Sequence, residues 1–317
     1  MEISKSRKSP LKVFINKFGM AIILVVLCIV MSIANPRFIT TMNILNVLKQ
    51  ISLTGIVAIG MTFVILQADI DLSVGSVAAL GGIIASVFTV NGMQIASAII
   101  IALVIATALG LLTGFIITRG RVHAFVVTLG MLSVARGATY IITDGKPISS
   151  LCKEFCYLGG GTVGPIPMPV ILFVVFILVA WFVLTKTPFG RYVYAIGGNQ
   201  EATALSGINV KNVRMISFGI SSFCACFAGI LLAGRVASGQ PTAADGWELD
   251  AIAAVVIGGT SMNGGKGGVF GTLIGALFMG VLRNGLNLLQ VSTFYQTVFI
   301  GVLIITVVVI DSIKKED

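Results

Sequence analysis

Residues 60–90 read GMTFVILQADIDLSVGSVAALGGIIASVFTV, two apolar runs separated by a short segment that contains Asp69 and Asp71. No other acid occurs between Glu2 and Asp144. Similar apolar runs recur along the chain: 56% of its 317 residues are hydrophobic, 10% are charged, and the mean hydropathy is +1.04. A soluble domain carries about 25% charged residues. The composition therefore predicts an integral membrane protein and excludes a soluble globular domain.

A membrane-crossing helix needs about 20 mostly apolar residues, and backbone groups in lipid must be hydrogen-bonded within the protein. The runs lack the alternating pattern of a membrane β-barrel. We therefore predict an all-α fold, a polytopic membrane helical bundle of about ten transmembrane or re-entrant helices. An alternative with eight spans and two re-entrant segments stays open, since the run at 249–263 is short. The candidates are 18–34, 51–67, 72–90, 93–118, 122–142, 168–185, 213–237, 249–263, 269–289 and 294–310.

The Lys and Arg residues indicate the orientation of the helices. If the N-terminus is inside, most of them fall in cytoplasmic segments, as the positive-inside rule requires. The outer loops then hold only Arg37, Lys49, Lys146 and Lys153. We expect both termini to lie in the cytoplasm. A basic N-terminal tail precedes one membrane domain, and a short C-terminal tail follows it. The predicted boundaries are 1–17, 18–312 and 313–317. The net charge of +9 does not indicate nucleic-acid binding, because the basic residues are spread over these loops.

Two segments resemble each other. DIDLSVGSVAALGG and WELDAIAAVVIGG each place acids before small apolar residues and a glycine pair. They begin the third and the eighth candidate helices, which would face opposite sides of the membrane. This spacing suggests an inverted five-plus-five repeat.

No catalytic motif stands out. The stretch GGTSMNGGKGGVFG, residues 258–271, lacks a Walker A loop, because Thr260 and Gly267 occupy positions where that motif needs Gly and Ser or Thr. A tight turn between two helices is the preferred interpretation. A zinc site is not expected from the single histidine, His123, and Cys152 and Cys156 either form a disulfide or remain free thiols. We therefore expect a protein without enzymatic activity of its own.

The polar segment 186–212 contains a predicted short helix. Gly197-Gly198-Asn199 predicts a turn, and Asn199 is suited to cap the helix that follows. QEATALSG then reads as one or two helical turns that Gly207 ends. From periodicity alone, this helix either docks into another protein or lies on the surface between two spans.

The motif E-A-x-A-x-x-G-I at residues 201–208 resembles the coupling loop of bacterial ABC importer permeases. The blocks NPRFITTMNILNVLKQ, GMTFVILQADIDLSVGS, GRVHAFVVTLGM and ELDAIAAVVIGGTSMNGGKG are similar, in this order, to the ribose-type branch of the monosaccharide ABC permeases. Many members of that branch have Gly where this chain has Asp69, so a family role transfers more safely to Asp71.

The resemblance implies a transmembrane subunit of a bacterial inner-membrane sugar importer. It also implies three partners besides membrane lipid: a separate ATPase that uses the ATP, an extracytoplasmic sugar-binding protein, and a second permease copy forming a homodimer. No cofactor is expected on this chain. An ion-coupled secondary transporter remains the alternative, with Asp69 and Asp71 as its ion site. The residues expected to couple to the ATPase are Gly198, Asn199, Glu201, Ala202, Ala204 and Gly207.

Other polar residues are candidates for a pathway, a gate or a docking surface. Asp71 or Ser73 either caps the third helix or belongs to an inner gate, and the two roles are compatible. Asn284 and Asn287, at i and i+3, are candidates for a sugar pathway. The acids Asp245, Glu248 and Asp250 form either a solvated loop or a docking surface for the binding protein. Tight helix packing is expected at two GxxxG motifs, and snorkelling to the outer interface is expected of three arginines. These residues are Gly110, Gly114, Gly271, Gly275, Arg136, Arg235 and Arg283.

Overall fold

The computed structural model describes the backbone of residues 10–313 and the side chains of residues 19–309. The outer parts of the predicted tails, residues 1–9 and 314–317, lie outside the described residues. The described chain contains thirteen α-helices, a 3-10 turn at Pro36–Ile39 and a hairpin of β1 (Thr162–Val163) and β2 (Ile166–Pro167). The helices are α1 (Pro10–Ala34), α2 (Thr41–Ile65), α3 (Val74–Val90), α4 (Ile95–Gly120), α5 (Ala124–Thr143), α6 (Lys153–Gly160), α7 (Met168–Lys186), α8 (Pro188–Gly198), α9 (Gln200–Leu205), α10 (Val210–Val236), α11 (Trp247–Ile257), α12 (Val269–Leu288) and α13 (Thr293–Ile313).

Six helices, α2, α4, α5, α7, α10 and α12, are long and apolar enough to cross a membrane. Shorter apolar stretches lie at 19–34, 74–90 and 293–309. Most of α2 and α10 is buried, whereas α4, α5 and α7 expose many large apolar side chains. An apolar surface of this extent suits lipid or another subunit. The prediction of an all-α membrane protein is confirmed.

Some helix boundaries differ from the prediction. Helix α2 begins at Thr41, ten residues before the predicted 51, because polar residues early in the helix broke the apolar run. One of them, Asn43, is satisfied by an amide pair with Asn284 of α12. The run predicted at 249–263 is an 11-residue helix, α11, that ends before Gly259, where φ is +89°. Helix α1 begins at Pro10, so the predicted 1–17 tail is helical from that residue.

Helix α10 lies at the centre of the fold and packs against α2, α3, α4 and α6. The GxxxG motif of α4 makes one of these contacts: a Cβ at Gly114 would lie 2.6 Å from Met215 Cα, and one at Gly110 would lie 2.5 Å from Phe218 O. The motif of α12 packs in the same way against α11. The prediction of tight helix packing at both motifs is confirmed, and both contacts lie within one subunit.

Two connections between consecutive helices reverse the direction of the chain. Residues 66–73, the first break, separate α2 from α3, and residues 237–246, the second break, separate α10 from α11. After the first break α3 runs parallel to α10, since Asp71 contacts Ser221 near one end of α3 and Ser86 contacts Gly239 near the other.

Helix α11 runs opposite to α3. Helices α11 and α2 are each antiparallel to α12, so α11 is parallel to α2. Because α2 is antiparallel to α10 and α3 is parallel to α10, α11 and α3 run in opposite directions. The N-termini of α3 and α11 lie side by side, where Gly75 packs against Ala244 and Glu248. Opposed half-helices are what an inverted repeat requires at this point, and the five-plus-five correspondence of the other helices stays a prediction. The contacts that fix the directions are Asp250–Arg283, Gly258–Gly271, Thr62–Thr272, Asn43–Asn284 and Gln67–Ser217.

Candidate functional site

Asp71 lies in the first break and is 1% exposed. One carboxylate oxygen accepts hydrogen bonds from the Ser73 backbone N–H at 3.0 Å and the Ser73 hydroxyl at 2.6 Å. The other accepts from the Ser221 hydroxyl of α10 at 2.8 Å. Ser73 is the N-cap residue of α3, so Asp71 organises the start of that helix and also ties it to α10. The predicted helix-start role fits this geometry, while Ser73 itself makes no side-chain cap.

Asp69 forms an ion pair that the sequence analysis missed. Arg214 of α10 donates to both carboxylate oxygens of Asp69, from Nε at 2.8 Å and from Nη2 at 2.7 Å. The two side chains are 9% and 17% exposed. A bidentate pair of this geometry fixes orientation as well as charge. Since the partners are 145 residues apart, sequence spacing gave no signal for it.

The first break penetrates the helix bundle. Its partners on α10 are Arg214, Ser217, which accepts a hydrogen bond from Gln67, and Ser221. At 1.5 Å per residue, Ser221 lies about 16 Å along α10 from Val210. The break therefore enters between the helices, and Asp71 occupies its deepest part. A gate role for Asp71 and Ser73 stays a prediction.

The predicted coupling helix is α9. Asn199 is its N-cap, and its side-chain oxygen accepts from the Ala202 N–H at 2.9 Å, which confirms the predicted cap. Gly207, at φ +83°, follows the helix. Leu205 is 89% exposed, so α9 presents an uncovered apolar side chain. All residues of the predicted coupling set are also exposed: Gly198, Asn199, Glu201, Ala202, Ala204 and Gly207.

The prediction of a turn at Gly197-Gly198 was wrong, because both residues belong to α8. Gly197 is required by packing: a Cβ there would collide with the Leu66 carbonyl oxygen and the Gly265 nitrogen. The Gly265 N–H in turn donates to Leu66 O at 2.9 Å. The segment before α9 thus contacts the first residue of the first break directly.

A second contact holds α8 to the α11–α12 turn. The Tyr194 hydroxyl donates to Gly267 O at 3.0 Å. Burial raises the pKa of Tyr194, so this hydroxyl stays protonated as a donor. The glycine-rich stretch is a turn between two helices, as predicted, and its glycines allow backbone contact with α8.

A cleft of about 640 Å³ lies beside α9. Its charged residues belong to four segments, because the end of α4, the start of α10, α9 and the first break meet there. Positive side chains outnumber negative ones. The charged residues that line it are Asp69, Arg121, Glu201, Lys211 and Arg214.

Asn284 and Asn287 do not share a polar face. Asn284 exchanges two amide hydrogen bonds with Asn43 of α2, at 2.8 and 2.9 Å. Asn287 accepts from the Gln296 side chain of α13 at 2.8 Å. The two amides therefore join α12 to different helices. Their predicted role in a sugar pathway is left without support from the geometry.

The three candidate docking acids occupy different environments. Asp250 is 5% exposed and pairs with Arg283 of α12 at 2.5 Å, so burial removes it from the predicted docking surface. Asp245 is exposed and Glu248 is half-buried. The ion pair also replaces the snorkelling expected of Arg283.

Asp245 and Glu248 line a cavity of about 220 Å³ with Ser76 of α3, Tyr140 of α5 and Thr242 of the second break. Arg136 of α5, which was expected to snorkel to the outer interface, also lines this cavity. Its Nη1 donates to Pro241 O at 2.7 Å and to Ala243 O at 2.9 Å.

Comparison with known proteins identifies the family. Residues 43–308 match the family model described as the branched-chain amino acid transport system / permease component. The chain belongs to this family of permeases. The permease is 47% identical over 295 residues to the ribose import permease protein RbsC of Haemophilus influenzae, covering 92% of this chain and 91% of that protein.

Further relatives are carbohydrate permeases. Identity to the ribose import permease protein RbsC of Bacillus subtilis is 45% over 302 residues, 95% of this chain and 94% of that protein. The D-allose transport system permease protein AlsC of Escherichia coli is 37% identical over 312 residues, 98% and 96% of the two chains. No solved structure matches the permease significantly. The resemblance noted from the sequence is confirmed.

Proposed function

We propose that this chain is the transmembrane permease subunit of an ATP-driven bacterial importer for a monosaccharide, with ribose the leading substrate. The observation that carries the proposal is the 45–47% identity to ribose import permeases over more than nine-tenths of both chains. The family description names amino acids. The ribose, allose and arabinose permeases among the relatives favour a sugar instead.

A membrane topology is part of the proposed function. We place both termini and α9 in the cytoplasm of the inner-membrane protein, with about ten helices crossing or entering the membrane. Supporting this, α2 and α3 run in opposite directions on the two sides of the first break, as do α10 and α11 around the second. The basic cleft beside α9 then lies on the cytoplasmic side, as the positive-inside rule favours.

The ATPase would dock on α9. This short helix exposes Leu205 and the coupling set Gly198, Asn199, Glu201, Ala202, Ala204 and Gly207. An exposed apolar side chain among small residues suits a groove on a partner. ATP is used by that partner, and this chain binds no cofactor. A homodimer of permeases would form the pathway, and the exposed apolar faces of α4, α5 and α7 would contact lipid or the second copy.

Motion of α9 would reach the pathway through backbone contacts. Helix α8 leads directly into α9, and Gly197 touches Leu66 at the start of the first break. The break is bonded to α10 through Gln67, Asp69 and Asp71. Movement of the coupling segment would thereby shift the first break together with α3 and α10, the kind of two-state change that alternating access needs.

An extracytoplasmic binding protein would deliver the sugar to the opposite face. Asp245 is exposed there and is the docking acid that we retain, with Glu248 beside it. Charge complementarity at such a rim would steer the approach of the partner.

The alternative is an ion-coupled secondary transporter, favoured by interrupted helices with buried acids. The two carboxylates argue against this alternative, because neither is free to bind a transported ion. Asp69 is neutralised by Arg214, and both Asp71 oxygens accept hydrogen bonds from serines. Reconstitution separates the two functions. Proteoliposomes holding the permease, its ATPase and its binding protein should take up ribose only with ATP. Uptake by the permease alone, driven by a proton or sodium gradient, would establish the alternative.

A further inference from the structure

We propose that the cavity of about 220 Å³ between α3, α5 and the second break is a weak monosaccharide-binding site on the transport pathway. This inference rests on the proposed function, because it assumes that a sugar crosses the protein. It adds the place where the sugar pauses and the residues that hold it there.

The cavity forms where the two half-helices begin. Gly75 of α3 lies against Ala244 and Glu248, at the N-terminus of α11, so the starts of the two opposed helices share one wall. Unpaired N–H groups at a helix start carry partial positive charge. Helix α5 forms the other wall through Arg136 and Tyr140, which lie one turn apart.

Ser76 is the observation that indicates a ligand. It is 1% exposed and lines the cavity, yet its hydroxyl has no hydrogen-bond partner among the described residues. Among the described residues, the fully enclosed side-chain atom that lacks a hydrogen-bond partner is Gln67 Oε1, not the Ser76 oxygen. The unpaired Ser76 oxygen is therefore not fully enclosed. Other serines deep in the bundle are paired, Ser86 with Gly82 O and Ser221 with Asp71. A buried hydroxyl normally has a hydrogen-bond partner, so the unpaired Ser76 hydroxyl is available to a ligand in the cavity that it lines.

The lining matches the hydrogen-bonding chemistry of a sugar. Each sugar hydroxyl can donate and accept, so a site needs both kinds of group. Glu248 and Asp245 supply acceptors, and neither forms an ion pair within the described residues. Arg136 and Tyr140 supply donors. Only Nη1 of Arg136 donates to carbonyls of the second break, so the N–H groups on its other nitrogens are available to a ligand.

The size also favours a small polyol. Pockets of about 300–1,000 Å³ hold drug-sized ligands, so a cavity of about 220 Å³ suits a pentose of about ten non-hydrogen atoms. The cleft of about 640 Å³ beside α9 is larger than a pentose needs, and its lining carries three cationic and two anionic side chains.

Tryptophan fluorescence provides a direct test. The chain has two tryptophans, Trp181 and Trp247, and Trp247 is the first residue of α11, next to Glu248. Trp181→Phe leaves Trp247 as the single reporter. Titration of D-ribose into this full-length variant in nanodiscs should give a saturable change, with a dissociation constant on the order of 1 mM, since a transport site must release its ligand. Absence of a saturable change would overturn the proposal.

Three substitutions in the Trp181→Phe background locate the binding. Ser76→Ala and Tyr140→Phe each remove one hydroxyl and should raise the dissociation constant about three- to tenfold. Ser86→Ala is the matched control, because it makes the same change on the same helix where the hydroxyl is already bonded to Gly82 O. It should leave the constant unchanged. Equal constants for all variants would show that ribose binds elsewhere and would overturn the site.

ATP-driven uptake keeps this inference separate from the proposed function. If the unsubstituted complex fails to import ribose or any monosaccharide, the proposed function is wrong. If it imports ribose and Tyr140→Phe alters neither the rate nor the ribose titration, the proposed function stands and the site is wrong. The expected result is a reduced uptake rate for Ser76→Ala and Tyr140→Phe, with ATP hydrolysis and the melting temperature retained.

Discussion

The first break, residues 66–73, is held to α10 by its side chains, whereas the second, residues 237–246, is held to α5 by its backbone. Asp69 and Asp71 reach out from the first break to Arg214 and Ser221 of α10. In the second break, the carbonyls of Pro241 and Ala243 accept from Arg136 of α5. Because these side chains are bonded to α10, the first break is a rigid connection. Holding the second break by its backbone leaves Thr242 and Asp245 free to face a cavity.

The breaks also differ in what they touch. The first begins at Leu66, which lies against Gly197 of the coupling segment. The second is further fixed by a two-way backbone pairing of Gly239 with Ile148 and faces the proposed sugar site. We therefore propose that the two breaks serve different purposes, transmission at the first and recognition at the second.

Asp71→Ala should have the largest effect on this comparison. It leaves the Ser73 N–H and the Ser221 hydroxyl without an acceptor in a fully buried position, which costs about 3 kcal/mol. We expect loss of ribose uptake and a lower melting temperature in thermal unfolding. Asp71→Asn is the control, because an amide oxygen still accepts from Ser73. Comparable loss in both variants would indicate that the negative charge, and not the hydrogen bonds, is what matters.

Arg136→Ala tests the second break. It removes two charge-assisted hydrogen bonds, worth about 2 kcal/mol together, and should free the 237–246 segment. Ribose uptake should fall strongly while basal ATP hydrolysis by the complex continues. Arg235→Ala is the matched control, since the Arg235 side chain makes no hydrogen bond or ion pair to any described residue. An equal loss in the control would mean that the effect does not depend on the hydrogen bonds from Arg136 to the second break.

Gly197→Ala tests transmission into the first break. The added methyl group would push α8 away from Leu66 and Gly265. We expect sugar imported per ATP hydrolysed to fall about tenfold, the usual scale of a coupling energy between two sites. Gly130→Ala in α5 is the control, because nothing lies within 4 Å of a Cβ built there and the residue is outside the coupling set. Normal coupling in both variants would contradict the proposed route.

Asp69→Ala should have the smallest effect of the four. Arg214 lines the open cleft beside α9, so its charge stays solvated after the partner is removed. The expected loss is about 2 kcal/mol, between the cost of breaking an exposed ion pair and that of breaking a fully buried one. Parallel thermal unfolding and uptake assays should rank Asp71→Ala as more damaging than Asp69→Ala. The reverse order would mean that the ion pair is the main anchor of the first break.

Local features of this fold were predictable from the sequence, and tertiary partners were not. The Asn199 cap, the end of α9 before Gly207 and both GxxxG contacts follow from residue types at short spacing. The start of α2 was missed because Asn43 looks polar until its partner on α12 is known.

Long-range contacts account for the remaining errors. Gly197 suggested a turn, yet it serves a backbone contact with Leu66 within a helix. Asp250 suggested a docking acid, yet Arg283 neutralises it inside the bundle. In each case the deciding neighbour is distant in sequence, and hydrophobic periodicity carries no information about it.

The central claim is that this permease carries a sugar only when a separate ATPase drives it. The most direct measurement is uptake of labelled ribose into proteoliposomes that hold the permease, the ATPase and the sugar-binding protein. We predict uptake that requires all three proteins and ATP and is abolished by Asp71→Ala. Uptake by the permease alone under an ion gradient, without ATP, would contradict the account.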